Sequence, residues 1–300
     1  MKKIWSSKQA FNRNLGLISD SEQKILNDSL VVIPGCGGIG STVAETLARL
    51  GIGRFRLCDP DEFDVANFNR QTGATIQSIG INKAEATRQR ILSINPEALV
   101  EVVAEPITDA NVAQFVGGAD VVLDGIDFFA ISARRALFRA AADANIPAIT
   151  AAPLGFSATL HSFLPGKGLS FESYFDFRDS DETAVLITKF LVGLAPKALH
   201  RSYMDMSFVD VANQTGPSSI IGTQLAASLI GSNVVKLILG RGKVLAAPWF
   251  CQFDGYRLCW VRRYLNAGNR HLLQRIKIRL AKKGFQKNGQ WEAFKLLSAR

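Results

Sequence analysis

The sequence predicts an α/β protein: a doubly wound, mainly parallel sheet with antiparallel strands added in the C-terminal half. Three observations predict it. Short β-branched runs alternate regularly with stretches of helical period from Ser29 to Ala151. A glycine-rich loop joins the first of these runs to the first of these helices. From Ala152-Pro153-Leu154-Gly155 onward the pattern changes to strand-type alternation that ends in a hairpin.

In chain order, Phe11 to Leu26 reads as an N-terminal segment with a helix opened by Ser19 or Ser21. Val31-Val32-Ile33 is short and β-branched, as a buried parallel strand requires, and Thr42 to Leu50 has helical spacing. Phe55 to Cys58 is a second strand, Ile81 to Ile94 a helix closed by Asn95-Pro96, and Leu99 to Ala104 a strand. Ala110 to Phe115 is a short helix ending in Gly117-Gly118. The strand Ala119 to Leu123, the helix Ile131 to Ala144 and the strand Ala148 to Ala151 follow. Beyond the change of pattern, Phe156 to Phe163 alternates like an antiparallel strand and Pro165-Gly166-Lys167-Gly168 marks a turn. Ile220 to Leu239 is a long apolar helix interrupted by Thr223, Gln224, Ser228, Ser232, Asn233 and Lys236, which reads as a core or subunit-interface helix. Pro248 to Asp254 and Arg257 to Arg262, joined at Asp254-Gly255, form the closing hairpin. The expected organisation is residues 1–28 as an N-terminal helical segment, 29–152 as a nucleotide-binding half, 153–265 as an acceptor-binding and dimerisation half of the same domain, and 266–300 as a basic amphipathic tail.

The stretch from Ser29 to Gln71 organises the chemistry. Gly35, Gly37, Gly38 and Gly40 lie where the chain must turn sharply after a strand and let backbone N–H groups approach a ligand. Glycine permits both, and the helix N-terminus that follows favours a phosphate. Asp59 ends the second strand nineteen residues past Gly40, about where a ribose-binding carboxylate belongs in a Rossmann-like nucleotide fold. Gly35-Cys36-Gly37-Gly38-Ile39-Gly40 alone fits an NAD or FAD oxidoreductase as well as an ATP enzyme.

The residues after the loop separate these readings. Asp59-Pro60-Asp61-Glu62-Phe63-Asp64-Val65-Ala66-Asn67-Phe68-Asn69-Arg70-Gln71, then Lys83, then Asp124-Gly125-Ile126-Asp127, resemble the ubiquitin-activating-enzyme-like ATP-dependent adenylyltransferases, the ThiF/MoeB/HesA group. The resemblance is close over about residues 10 to 160 and weaker beyond. It implies that Asn67, Arg70 and Lys83 handle phosphates, with Asp61 and Gln71 in the same nucleotide site, that Asp59 holds the ribose and that Asp127 binds Mg²⁺. It also implies that Arg13 crosses to the ATP of a partner subunit in a homodimer. The acceptor implied is the carboxylate of a peptide or ubiquitin-like carrier, activated as an acyl-adenylate with release of pyrophosphate. These roles suit the chemistry: attack on an α-phosphate builds negative charge that fixed cations and a metal stabilise. Arg70 offers a planar fork for phosphate oxygens, Lys83 a point charge, and Asp127 a hard oxygen ligand. Taken singly, Arg70 and Lys83 also read as solvated surface charges and Asp127 as a helix N-cap. A non-catalytic nucleotide-binding module is the other reading left open.

Composition bounds the rest. Three hundred residues with 47% apolar content allow a sizeable core. The N-terminal stretch from Met1 has two lysines and no apolar run of signal-peptide length, and the expectation is a cytoplasmic protein. The four cysteines, Cys36, Cys58, Cys251 and Cys259, form no CxxC pair, so no structural zinc is expected, and their spread suggests no disulfide framework. The conjugating members of the resembled group place a catalytic cysteine after the nucleotide half, and no cysteine lies between Cys58 and Cys251. An adenylate would then pass to an external nucleophile or to a group of the substrate itself. Phe171 to Glu182 mixes aromatics with acids, either as a surface loop anchored by its rings or as the wall of a substrate groove favouring cationic or neutral partners. His200, Arg201 and Asn213 are candidates for orienting a substrate, against ordinary structural roles. Between Ala267 and Arg300 nine Lys and Arg stand against Glu292, giving +8 of the chain's +9. Leu272, Leu273, Ile276 and Leu280 share a helical face there, so the tail is basic and amphipathic, suited to an acidic partner, an anionic surface or nucleic acid, or to docking on its own domain.

Overall fold

The computed structural model describes residues 5–296; Lys2, Lys3 and Arg300 lie outside them. The chain opens with α1 (Ser7–Ala10) and α2 (Asp20–Asp28). Ser19 is the N-cap of α2: its hydroxyl accepts from the Glu22 N–H while the Glu22 carboxylate accepts from the Ser19 N–H, a reciprocal box. The alternating half follows as β1 (Leu30–Pro34), α3 (Gly38–Arg49), β2 (Arg54–Cys58), α4 (Lys83–Ile94), β3 (Leu99–Val103), α5 (Val112–Val116), β4 (Val121–Asp124), α6 (Ile131–Asp143) and β5 (Ala148–Thr150). The second half contains β6 (Pro153–Leu154), β7 (Ser157–Phe163), α7 (Phe171–Phe175), α8 (Thr183–Leu194), α9 (Ile220–Ile238), β8 (Trp249–Asp254), β9 (Cys259–Tyr264), α10 (Leu272–Lys287) and α11 (Gln290–Leu296).

These strands form one sheet in the order β3-β2-β1-β4-β5-β7-β8-β9, with β6 paired to β7. The first five are parallel; β7, β8 and β9 add on antiparallel. Successive residues of β1 serve opposite faces. Val31 and Ile33 pack into a core with α3, α4 and α9, whereas Val32 packs into a second core with α5, α6 and α8. The chain order reverses between β1 and β4, the place where ligands bind in such sheets.

Local details explain where expected boundaries moved. α3 begins inside the glycine loop at Gly38. α4 begins at Lys83 because the Asn82 side chain accepts from Ala84 and Glu85 N–H. The closing hairpin's second strand starts two residues late, because Asp254 accepts the Arg257 N–H and Leu258 takes φ 49°, lengthening the turn. Phe171 to Glu182 is not a free loop. α7 opens it, and Phe171, Tyr174, Phe175 and Phe177 are buried against Phe138, Phe163 and Phe190. α8 was not legible as a helix, being apolar on most of its surface and buried in the second core. α9 is long and apolar enough, by length and composition, to cross a membrane. It packs along α3 and β7, burying Ala226, Ala227, Ile230 and Val234.

Candidate active site

The glycines divide by role. Gly35 has φ +85°, and a Cβ there would stand 2.1 Å from the Gly125 carbonyl oxygen. A Cβ on Gly40 would lie 1.8 Å from the Gly35 carbonyl oxygen, and one on Gly38 would meet Thr223 Cγ2 of α9 at 3.0 Å. These three let β1, α3, α9 and the β4 loop approach one another. Gly37 is different: a Cβ would meet only the Gln71 side chain, no nearer than 3.6 Å. Its bareness is not demanded by packing. The first-turn N–H groups of α3 have no intrahelical partners and no side-chain cap, which leaves them available to an anion. Gln71 is 7% exposed, and its Oε1 is buried without a hydrogen-bond partner among the described residues.

Asp59, 5% exposed, fastens the loop. Its Oδ2 accepts the Cys36 N–H at 2.6 Å and its Oδ1 the Asp61 N–H at 2.9 Å. Burial raises its carboxyl above the usual range, opposed by those two N–H groups and by Lys83. Lys83 Nζ, on the first turn of α4, sits 2.9 Å from Asp61 Oδ2. The lysine is buried while the aspartate is exposed, so the pair opens toward solvent on its carboxylate side. Asn67 Oδ1 accepts from the Asp64 N–H, and Arg70 Nη1 donates to Ala66 O at 2.8 Å and Asn69 Oδ1 at 3.0 Å. The same loop is tied to the start of α9: Asn69 Nδ2 donates to Ser218 O, Ile220 N–H to Asn69 O and Thr223 Oγ1 to Arg70 O. Beside Ser218 and Ser219 opens a cavity of about 530 Å³, walled also by Phe156, Tyr203, Met204 and Phe208.

Asp127 is exposed on the β4–α6 loop, two residues past the Gly125 that abuts Gly35. It is not the N-cap of α6, a position held by Ala130; its Oδ1 accepts the Phe129 N–H at 2.9 Å and its other oxygen has no partner among the described residues. What holds this loop is Arg134, which sequence reasoning missed. Arg134 Nε lies 2.8 Å from Asp124 Oδ2, both side chains nearly inaccessible, and its Nη atoms donate to the carbonyls of Ile126 and Phe128. Thr150 Oγ1 donates to the same Asp124 oxygen, and the guanidinium lies 4.5 Å from the centre of the Phe190 ring. A basic residue seven positions after Asp127 on a helix was the only available signal.

Other named residues lie apart from this cluster or are engaged elsewhere. Arg13 is exposed and has no partner among the described residues. Its segment packs at the C-terminal end of α3, where Asn14 and Gln23 donate to Leu50 O. The glycine loop is at the other end of that twelve-residue helix, about 18 Å away along its axis. Cys36 is fully buried, and burial and Asp59 push its thiol well above the usual range. Cys58 is pushed up to about 11 by the same causes. Neither has thiolate character to offer a nucleophile. His200 is buried beside the cavity wall, held down to about 4 by burial and by Arg201; Arg201 is exposed, and Asn213 bonds to Asp210 in its own turn. Of the acids in the stretch read as either an anchored surface loop or a groove wall, Glu172 and Asp179 pair with Arg135 and Arg139, and Asp176 and Asp181 with Lys189. Pairing offsets most of their charge within the fold, while Glu182 is exposed and makes no ion pair among the described residues.

The sequence model described as the ThiF family matches residues 11–272. The chain is 37% identical over 149 residues to the tRNA threonylcarbamoyladenosine dehydratase of Escherichia coli (strain K12), covering 49% of this chain and 55% of that protein. It is 35% identical over 146 residues to the Sulfur carrier protein ThiS adenylyltransferase of the same organism, covering 49% and 57%. The chain thus spans about half the length of these curated relatives. Among solved structures, E. coli tRNA N6-threonylcarbamoyladenosine dehydratase, TcdA, superposes with TM-score 0.58 at 25% identity, over 78% of this chain and 95% of that one. E. coli MccB with ATP superposes with TM-score 0.62 at 23% identity, over 82% and 66%, a likeness of fold.

Proposed function

The chain belongs to the ThiF family, and on that premise we propose that it is an ATP- and Mg²⁺-dependent adenylyltransferase activating a carboxylate. The observation that carries the reading is Gly37 beside Gln71: a loop position bare without a packing reason, facing a buried amide oxygen without a partner. A ligand with hydroxyl or amino donors and an anionic group supplies both needs. Arg70, Asn67 and Lys83 hold the phosphates, Lys83 exchanging Asp61 for phosphate oxygen. Asp59 accepts a ribose hydroxyl through lone pairs not used by Cys36 and Asp61. The acceptor's carboxylate oxygen attacks the α-phosphorus while the bond to the bridging oxygen breaks and pyrophosphate leaves, and the adenylate passes to an external nucleophile or to a group of the substrate itself.

Among the described residues no three metal-capable side chains converge. Asp127, with one carboxylate oxygen free on the loop beside Gly35, therefore fits Mg²⁺ only as a partner to nucleotide phosphates, the usual arrangement for this ion. Bound there, the ion would supply charge stabilisation of the leaving phosphates. The acceptor is the C-terminus of a peptide or ubiquitin-like carrier, with its last residues in the cavity beside Ser218 and Ser219. Arg13, at the end of α3 remote from its own glycine loop, acts on the nucleotide of a partner copy in a homodimer.

The test is calorimetric titration with ATP and with NAD, with and without Mg²⁺, for the wild type and Asp127→Ala, followed by ATP–pyrophosphate exchange. ATP binding without NAD binding, and loss of the Mg²⁺ dependence in the variant, is the expected result. Binding of NAD alone replaces the reading with an oxidoreductase; ATP binding with no exchange for any acceptor replaces it with a non-catalytic module. Mixing Arg13→Ala with Asp127→Ala subunits restores exchange that neither has alone if the arginine acts across a dimer.

A further inference from the structure

α10 docks the opposite way from the one its sequence suggests. The helix lies on α8, and its less exposed positions, Gln274, Ile278, Ala281 and Phe285, are spaced by four, three and four residues along one face. Gln274 is 1% exposed and donates to Val192 O, and Lys277 Nζ donates to Pro196 O from the edge of the contact. The stripe of Leu272, Leu273, Ile276 and Leu280 therefore turns to solvent, at 67%, 60%, 42% and 63% exposure. Four large aliphatic side chains in contiguous helical positions without cover mark an interaction surface.

Charge identifies what covers it. α10 contains no Asp or Glu. Arg275, Arg279, Lys283 and Lys287 are exposed and make no ion pair among the described residues. Lys283 and Lys287 continue the apolar stripe at the spacing of one helical turn, and Arg275 and Arg279 border it. Lys282 lies 4.8 Å from the centre of the Trp291 ring and so belongs to the packing of α11 instead. A second copy of α10 would bring like charges together over the stripe. Nucleic acid offers the cations phosphates but gives the leucines nothing to enter. We propose that α10 binds in the plane of an anionic lipid surface: Leu272, Leu273, Ile276 and Leu280 enter the headgroup–acyl boundary while Arg275, Arg279, Lys283 and Lys287 engage lipid phosphates. The docked face stays on α8, so the body of the protein rides above the surface with α10 as its contact.

The experiment is co-sedimentation of the whole chain with phosphatidylcholine vesicles containing about one-third phosphatidylglycerol, and with pure phosphatidylcholine vesicles. Binding to the first and not the second is expected, with loss at about 1 M salt, where the Debye length falls to about 3 Å. Arg279→Ala and Lys283→Ala each weaken binding about fivefold. Ile276→Asp abolishes it while leaving the circular dichroism spectrum and unfolding midpoint unchanged, the side chain being exposed. Failure to bind anionic vesicles, equal binding to neutral ones, or undiminished binding by Ile276→Asp overturns the proposal. A concentration-dependent dimer that Ile276→Asp dissociates, with no vesicle binding, overturns it in favour of a second copy.

Discussion

Charged residues around the glycine loop and charged residues in the second half are of the same types but have different partners. Asp59 and Arg70 bond mostly to backbone, and Gln71 has an oxygen left over. Around α7 and α8 the charges bond mostly to one another: Arg135 and Arg139 share Glu172 and Asp179, and Lys189 holds Asp181. Pairing shared among several groups marks a brace, whereas beside the loop Lys83 has, among the described residues, the single ion-pair partner Asp61, which a ligand can replace. Backbone-anchored side chains with spare lone pairs or protons mark a site, because the anchoring fixes them without using up their capacity.

The sharpest way to break this contrast is through the glycines. Gly40→Ala drives a Cβ to 1.8 Å from the Gly35 carbonyl oxygen and is expected to cost more than about 4 kcal/mol, the range of gross backbone or core disruption. Gly37→Ala meets only the end of the Gln71 side chain at 3.6 Å. It should remain folded while losing most affinity for ATP. Thermal unfolding beside calorimetry separates the two, and equal destabilisation would reduce Gly37 to another packing glycine.

Arg134 joins the two kinds. It is paired like a brace, to Asp124, yet two of its bonds hold the loop that carries Asp127. Arg134→Met leaves a buried carboxylate with Thr150 and the Ile126 N–H as its remaining donors, at a cost of about 3 to 5 kcal/mol. Adding Asp124→Asn should recover part of that loss. Neither variant should show the full Mg²⁺ dependence of ATP binding, since the loop is no longer fixed. Urea unfolding gives the first quantity and titration with and without Mg²⁺ the second.

The difference also explains what could be read from the sequence. The parallel strands, the glycine loop and a helix opened by Ser19 or Ser21 are set by local rules, period and turn chemistry; the structure has the strands and the loop, and places the cap at Ser19. The Arg134–Asp124–Thr150 cluster joins positions up to twenty-six residues apart across β4, β5 and α6, and no spacing rule announces it. α8 has apolar residues on most sides, so its period carries little directional signal. On α10 the apolar stripe was legible, but which face would dock was not. A polar residue, Gln274, is buried where it can satisfy Val192 O and Asn269, and the leucines are left outside.

Two buried histidines in the second half test whether its polar groups are purely structural. His161, bonded to Tyr174, is pushed by burial from 6.5 down to about 3, and His200 to about 4. Both are neutral in the fold, so as pH falls below 6.5 the unfolded chain binds protons that the folded one refuses. Their contribution is complete above that pH and is lost as pH falls toward the folded values, by about 2 to 3 kcal/mol for each by about pH 4.5. His161→Phe should flatten its share of the acid limb in a plot of unfolding midpoint against pH. ATP affinity near neutral pH should not change.

The smallest effect is expected at Arg139. Its side chain is 46% exposed and its partner Asp179 83%, whereas Arg135, at 12%, keeps Glu172 and lies 5.6 Å from the centre of the Phe177 ring. Removing the outer arginine leaves the inner pair intact, so Arg139→Ala should keep the unfolding midpoint within about 2 °C of wild type, the scale of a surface pair. Arg135→Ala should lower it further, because it strips Glu172 of its buried partner and uncovers Phe177. ATP binding should be unchanged in both, as their acids are engaged with arginine rather than with the glycine-loop residues. If Arg139→Ala weakened ATP or acceptor binding while the midpoint stayed fixed, the outer edge of the brace would itself be facing a ligand, and mutual pairing would no longer be a sufficient sign of a structural charge.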